Sequence, residues 1–152
     1  MNFLVSFVLT IAFLCATLAT TFAPNKINQD LLNQLTHREI NIYQEITIMR
    51  RNIYFSGLVL GIIIALCFLF FTSDMHYATR LFGAIAITFC VNYFYYILYP
   101  KPMYMLDVLD TKQENKAWLK IYRAMQVRYH LSFVFGLCFA FFFYQLFMRS
   151  SE

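Results

Sequence analysis

The sequence predicts an all-α integral membrane protein, a four-helix bundle in which two helices run on beyond the bilayer as stalks. Three observations predict it. Of the 152 residues, 61% are hydrophobic and 20% aromatic, against about 45–50% apolar in ordinary soluble domains, and a soluble fold of this length could not hide that much apolar surface. Charged residues make up only 13% and cluster in short segments between four long uncharged runs. Finally, the two longer connections carry apolar residues at helical spacing, so they read as helices that continue out of the membrane.

The uncharged runs are 1–25, 52–73, 81–100 and 131–148, none of which contains Asp, Glu, Lys, Arg or His. A helix rising 1.5 Å per residue needs about 20 residues to cross roughly 30 Å of hydrocarbon. We therefore expect spans at about 2–23, 53–72, 81–99 and 131–148 in one membrane domain covering 1–152. The first run could be a cleaved leader, since Ala19 and Ala23 are small residues near its end. It lacks a positive start, its apolar run exceeds about 15 residues, and Pro24 would follow the cut, so a retained helix is expected.

Orientation follows from the basic residues in the connections. Lys26, Arg38, Arg50 and Arg51 lie in the first, and Lys101, Lys112, Lys116, Lys120, Arg123 and Arg128 in the third, whereas only Arg80 and Arg149 lie on the other side. Ten against two places both long connections in the cytosol and both termini on the non-cytosolic side. Tyr54, Tyr93, Tyr95, Tyr96, Tyr99, Tyr122 and Tyr129 gather at the cytosolic ends of the spans, where a ring can sit in the apolar layer and its hydroxyl among headgroups.

The first stalk is expected at about 28–52. It has no Gly or Pro and carries Leu31, Leu35, Ile42, Ile46, Met49 and Ile53 on one face. One helix from 28 to 72 would be about 65 Å long. The second is expected at about 111–130, after Pro100 and Pro102 end the third span. Asp110 or Thr111 can cap it, and Thr111-Lys-Gln-Glu114 has the capping-box pattern. Trp118, Ile121, Tyr122, Met125 and Tyr129 then form an apolar and aromatic face, to be covered by the other stalk or by a partner.

Shifting the sequence by 75 residues aligns Cys15 with Cys90, Lys26 with Lys101, Thr36 with Thr111, Glu39 with Glu114, Ile46 with Ile121, Tyr54 with Tyr129, Gly61 with Gly136 and Ala65 with Ala140. This suggests a parallel internal repeat of about 75 residues, its halves related by an axis along the membrane normal.

The chemistry in the spans is that of packing. Gly57, Gly61 and Ala65 put small residues on one face of the second span, and Ser132, Gly136 and Ala140 do so in the fourth. Such stripes let helix backbones approach closely in lipid. Ionisable groups that would mark an ion path or proton relay are missing from the spans. Asn92, Gln145, Ser6, Thr10, Thr17 and Thr88 are modest polar groups better suited to helix contacts. His37, His76 and His130 fall in separate segments, and Cys15, Cys67, Cys90 and Cys138 lie one in each span without a CxxC spacing. No enzyme, metal or cofactor is therefore expected. Arg50, Arg51, Arg123 and Arg128 stand where the stalks enter the bilayer, suited to anionic headgroups or to orientation alone. A net charge of +4 without a dense basic patch gives no reason to expect nucleic acid.

The stretch Tyr99-Pro-Lys-Pro-Met-Tyr-Met-Leu-Asp107, followed by Ala117-Trp-Leu-Lys-Ile-Tyr-Arg-Ala-Met-Gln126 and Arg128-Tyr-His130, resembles small multi-spanning virion membrane proteins, of the minor capsid type, from large algal and related nucleocytoplasmic DNA viruses. The resemblance lies in the second half only. It implies a virion component in the membrane beneath an icosahedral shell, with stalks facing the capsid, and brings no catalytic motif. The expected role is thus structural: a membrane anchor or assembly protein whose partners are the bilayer, membrane or capsid proteins and further copies of itself. The alternative is an oligomeric channel or small-solute carrier lined by Asn92, Thr88 and Thr17.

Overall fold

The computed structural model describes residues 3–22 and 31–149. Four helices, α1 (Phe3–Phe22), α2 (His37–Phe71), α3 (Tyr77–Leu98) and α4 (Lys112–Arg149), follow one another among the described residues, with a 3₁₀ turn at Met105–Asp107 before α4. All four are long and apolar enough to cross a membrane. The chain is an all-α, multi-pass membrane protein. With 35 and 38 residues, α2 and α4 are about 52 and 57 Å long, well beyond the hydrocarbon thickness of about 30 Å. Side chains such as Leu66 (59% exposed), Phe70 (80%) and Phe71 (81%) point away from the protein. Apolar surface this continuous needs lipid around it.

Two boundaries differ from expectation. The first stalk does not run unbroken from residue 28, a start that lies outside the described residues. A helical turn ends at Leu32, and a new helix begins at His37 after Thr36, which holds an extended backbone as N-cap. The cap interrupts the helix because Thr36 and Glu39 close a capping box, and because Leu31 (0% exposed) and Leu35 (8%) then fold in beside Ile46. Their helical spacing was real, but two segments use it. The third span starts at Tyr77, four residues earlier than the charge pattern suggested. His76 caps it by accepting from the Ala78 N–H at 3.3 Å. The Arg80 guanidinium donates to the Leu69 carbonyl, satisfying an orphan acceptor near the C-terminus of α2, where a cation is favoured.

Close neighbours run in the order α1, α4, α3, α2. Each pair is antiparallel: Phe13 stacks on Phe142 at 5.4 Å across α1 and α4, and Tyr54 meets Tyr96 at 6.4 Å across α2 and α3. A shift of 75 residues converts α1 into α3 and α2 into α4, so the two strongest pairings, α1 with α4 and α3 with α2, are equivalents of one another. Both cross between the halves. Ile46 and Ile121, Gly61 and Gly136, and Ala65 and Ala140 are all buried, so the offset recurs in burial as well as in sequence. The likeness ends at α3, which also packs on α4, whereas α1 and α2 make no comparable contact among the described residues.

Candidate functional site: the stalk head and the aromatic layer beneath it

Among the described residues, a buried apolar cluster lies outside the four uncharged runs. Leu31, Leu35, Ile46, Met105, Leu109, Trp118 and Ile121 form it, with Ile40, Ile42, Tyr43, Met103 and Ala117 packed around them. Trp118 is 9% exposed and meets Tyr43 edge-on at 6.3 Å, a favoured geometry for two rings. The two long helices and the segment between α3 and α4 thus close into a small head at one end of the bundle.

Reciprocal hydrogen bonds start both stalk helices. Thr36 N–H donates to Glu39 Oε2 at 2.7 Å and Glu39 N–H to Thr36 Oγ1 at 3.5 Å. At the equivalent place, Thr111 N–H donates to Glu114 Oε2 at 2.9 Å and Glu114 N–H to Thr111 Oγ1 at 3.2 Å. Each box satisfies amides that a helix start leaves free. The Thr36 hydroxyl, which also donates to Glu39 at 2.7 Å, and then the Thr36 amide hold the Glu39 carboxyl below the ordinary carboxylate range.

The expected partner face divides in two. Trp118 and Ile121 are consumed in the head, whereas Tyr122 (50% exposed) and Met125 (39%) remain on its surface beside Leu119 and Val127. The arginines divide as well. Arg51 and Arg123 are exposed and Arg128 is half-buried. Arg50 turns inward instead, donating to the Met103 carbonyl at 3.4 Å and lying 5.4 Å over the Tyr104 ring. Lys101 donates to the Tyr96 and Ile97 carbonyls at 2.6 and 2.9 Å, capping α3. Burial, followed by repulsion from Arg50, lowers its pKa. Sequence spacing gave no sign of these two uses.

Beneath the head lies a layer of rings. Tyr96 and Tyr129 are 4.7 Å apart, Tyr93 stacks on Tyr129 at 5.3 Å and on Phe133 at 4.0 Å, and the Tyr93 hydroxyl meets His130 Nδ1 at 2.8 Å. Tyr129 OH donates to the Tyr93 carbonyl at 3.1 Å. These contacts tie α3 to α4 where the uncharged runs end, and aromatic rings favour a membrane boundary.

No protein family, curated protein or solved structure matches the chain. Function must therefore be argued from the site itself.

The small-residue stripes mediate close helix contacts. A Cβ at Gly61 would stand 2.9 Å from the Thr88 carbonyl oxygen and 3.2 Å from its Cα, so only glycine permits this backbone approach. Gly57 lies under Tyr95 and Asn92, and Ala65 is 6% exposed on the same face. In α4 the stripe serves two neighbours: the Ser132 hydroxyl meets that of Thr21 in α1 at 2.7 Å, and Gly136 accommodates the Phe89 ring of α3. Ala140 is fully buried.

The polar groups that a pore would need do not share one path. Thr88 and Asn92 face α2, while Thr17 belongs to α1, whose close neighbour is α4. Thr17 and Thr88 each donate back to the carbonyl four residues earlier, at 2.7 and 2.9 Å. Asn92 Oδ1 has no hydrogen-bond partner among the described residues and lies 2.9 Å from where a Cβ on Gly57 would stand. Among the described residues no three His, Cys, Asp or Glu converge as metal ligands.

Proposed function

We propose that the chain is a structural membrane protein that anchors or organises an assembly through the stalk head. The head faces the cytosol and both termini lie on the opposite side, as the basic residues of the two long connections indicate. One observation carries the reading: a buried apolar core is built outside the uncharged runs, from Trp118, Ile121, Ile46, Met105 and the leucines around them. A chain that needed only to sit in lipid would gain little from folding a separate apolar cluster there. The head also keeps Leu119, Tyr122, Met125 and Val127 exposed on α4 among Lys116, Lys120 and Arg123, a mixed apolar and basic surface suited to a partner protein. The setting of a virion internal membrane, with this surface turned toward a capsid as in a minor capsid protein, follows from the resemblance of the 99–130 region. Further copies of the chain are a second class of partner.

Photo-crosslinking in the native membrane tests the reading. A photoreactive residue at Tyr122 or Met125 is expected to give adducts with one defined protein, and a residue at Phe70, on the lipid face, is not. The reading fails if neither head position gives an adduct while liposomes carrying the wild-type chain show selective solute flux that Asn92→Leu abolishes.

A further inference from the structure

The geometry points to a binding site for the ammonium headgroup of a zwitterionic phospholipid in the cleft between α2 and α3. The cleft has a volume of about 450 Å³ and is lined by Glu45, Asn52 and Ser56 from α2, by Tyr95 from α3 and by Tyr99 just after it, with apolar side chains such as Ile53 among them. Among the described residues, the one span packed closely against α2 is α3.

Charge decides what the cleft can hold. Glu45 is the one charged residue lining it, and among the described residues its carboxylate makes no hydrogen bond or ion pair. Of the cations close in the chain, Arg50 reaches Met103 and Tyr104, Lys101 caps α3 at Tyr96 and Ile97, and the exposed Arg51 does not line the cleft. The site therefore presents a carboxylate without a counter-ion. Tyr95 and Tyr99, one helical turn apart, set their rings 5.3 Å from each other at 37°. Gly57 makes room for the Tyr95 ring, since a Cβ there would come within 2.9 Å of it. Two tyrosine rings and a carboxylate lining one cleft are a setting that favours an alkylammonium over a hydrated metal ion or an anion. The Asn52 amide and the Ser56 hydroxyl are donors for the phosphate oxygens joined to such a headgroup.

Depth decides the source of the ammonium. Tyr99 is the C-cap of α3 and Pro100 follows it, so the cleft lies where the apolar part of that span ends and headgroups begin. Below Ser56, the exposed face of α2 continues through Val59, Leu60 and Ile63, an apolar surface along which acyl chains can lie. The inference needs the spans to lie in a bilayer and does not depend on which partner the head takes.

The test uses the purified full chain in detergent, with native mass spectrometry counting bound lipid. The probes are diheptanoyl phosphatidylcholine, diheptanoyl phosphatidylglycerol and choline chloride. The choline lipid should be retained about threefold to tenfold more than the glycerol lipid. Glu45→Gln and Tyr99→Leu should each remove that preference with helix content unchanged by circular dichroism, and Glu45→Lys should reverse it. Equal retention of the two lipids overturns the inference, as does a preference that survives both variants. Displacement of the choline lipid by choline chloride at equal concentration overturns the lipid as the source.

Discussion

At Gly61 the atoms that a methyl group would meet belong to the Thr88 backbone, and at Gly136 they belong to the far edge of the Phe89 ring. A ring edge can turn aside, but a backbone cannot without parting the helices. Gly61→Ala should therefore destabilise the fold by about 1–3 kcal/mol, the usual cost of overpacking, and Gly136→Ala by clearly less. Thermal unfolding in a mild detergent checks the order, with Leu60→Ile on the exposed face as a near-neutral control. Equal stability of the Gly61 variant and the wild type would remove the close contact. Trp118 is the second residue with a large expected effect. Trp118→Ala removes the centre of the head and should cost about 3–5 kcal/mol locally. Amide exchange should quicken at 38–46 and 113–121 while the span amides stay protected, and loss of protection throughout would mean that head and spans unfold as one unit.

Each stalk helix depends on its start. Thr36→Ala and Thr111→Ala should each lose about 1 kcal/mol, the ordinary value of an N-cap hydroxyl. The Glu39 carboxyl titrates below its ordinary value, so its contribution is fully present above the unfolded glutamate pKa of about 4.3 and is lost as pH falls through the lower folded value. Acid should loosen the start of α2 before the spans respond. Glu39→Gln should flatten that acid step and keep the helix capped, because glutamine also closes a capping box. Amide exchange at His37–Ile40 across pH 3–7, corrected for its intrinsic pH dependence, gives the comparison.

These starts also show what the sequence could tell. Thr111-x-x-Glu114 was legible because prolines had already ended the preceding span. Thr36-x-x-Glu39 is the same signal 75 residues earlier, but the periodic leucines across it suggested one unbroken helix. Spacing shows that Leu31, Leu35, Ile42 and Ile46 can share a face, and it does not show that one segment must carry them all. The inward uses of Arg50 and Lys101 were hidden for another reason. A basic residue near a span end has the same local sequence whether it meets a headgroup or a carbonyl, and only the packing of the 99–109 segment distinguishes the two.

For the whole molecule, hydrophobicity and charge made four spans and their alternation legible, since a bilayer imposes both. The neighbour order α1, α4, α3, α2 was not legible, because every span offers an apolar surface to every other. Which pairs form depends on small-residue contacts such as Gly61 against Thr88 and ring contacts such as Phe13 against Phe142. The central proposal is that the two stalks, which pack together in the head, lie on the cytosolic side. Single cysteines at Gln44, Gln113 and Ser73, treated with an impermeant thiol reagent in intact cells, test it most directly. The account predicts labelling at Ser73 from outside, provided the chain is in the plasma membrane, and at Gln44 and Gln113 only after permeabilisation. Labelling of Gln44 and Gln113 on opposite sides, or of both from outside, would contradict it.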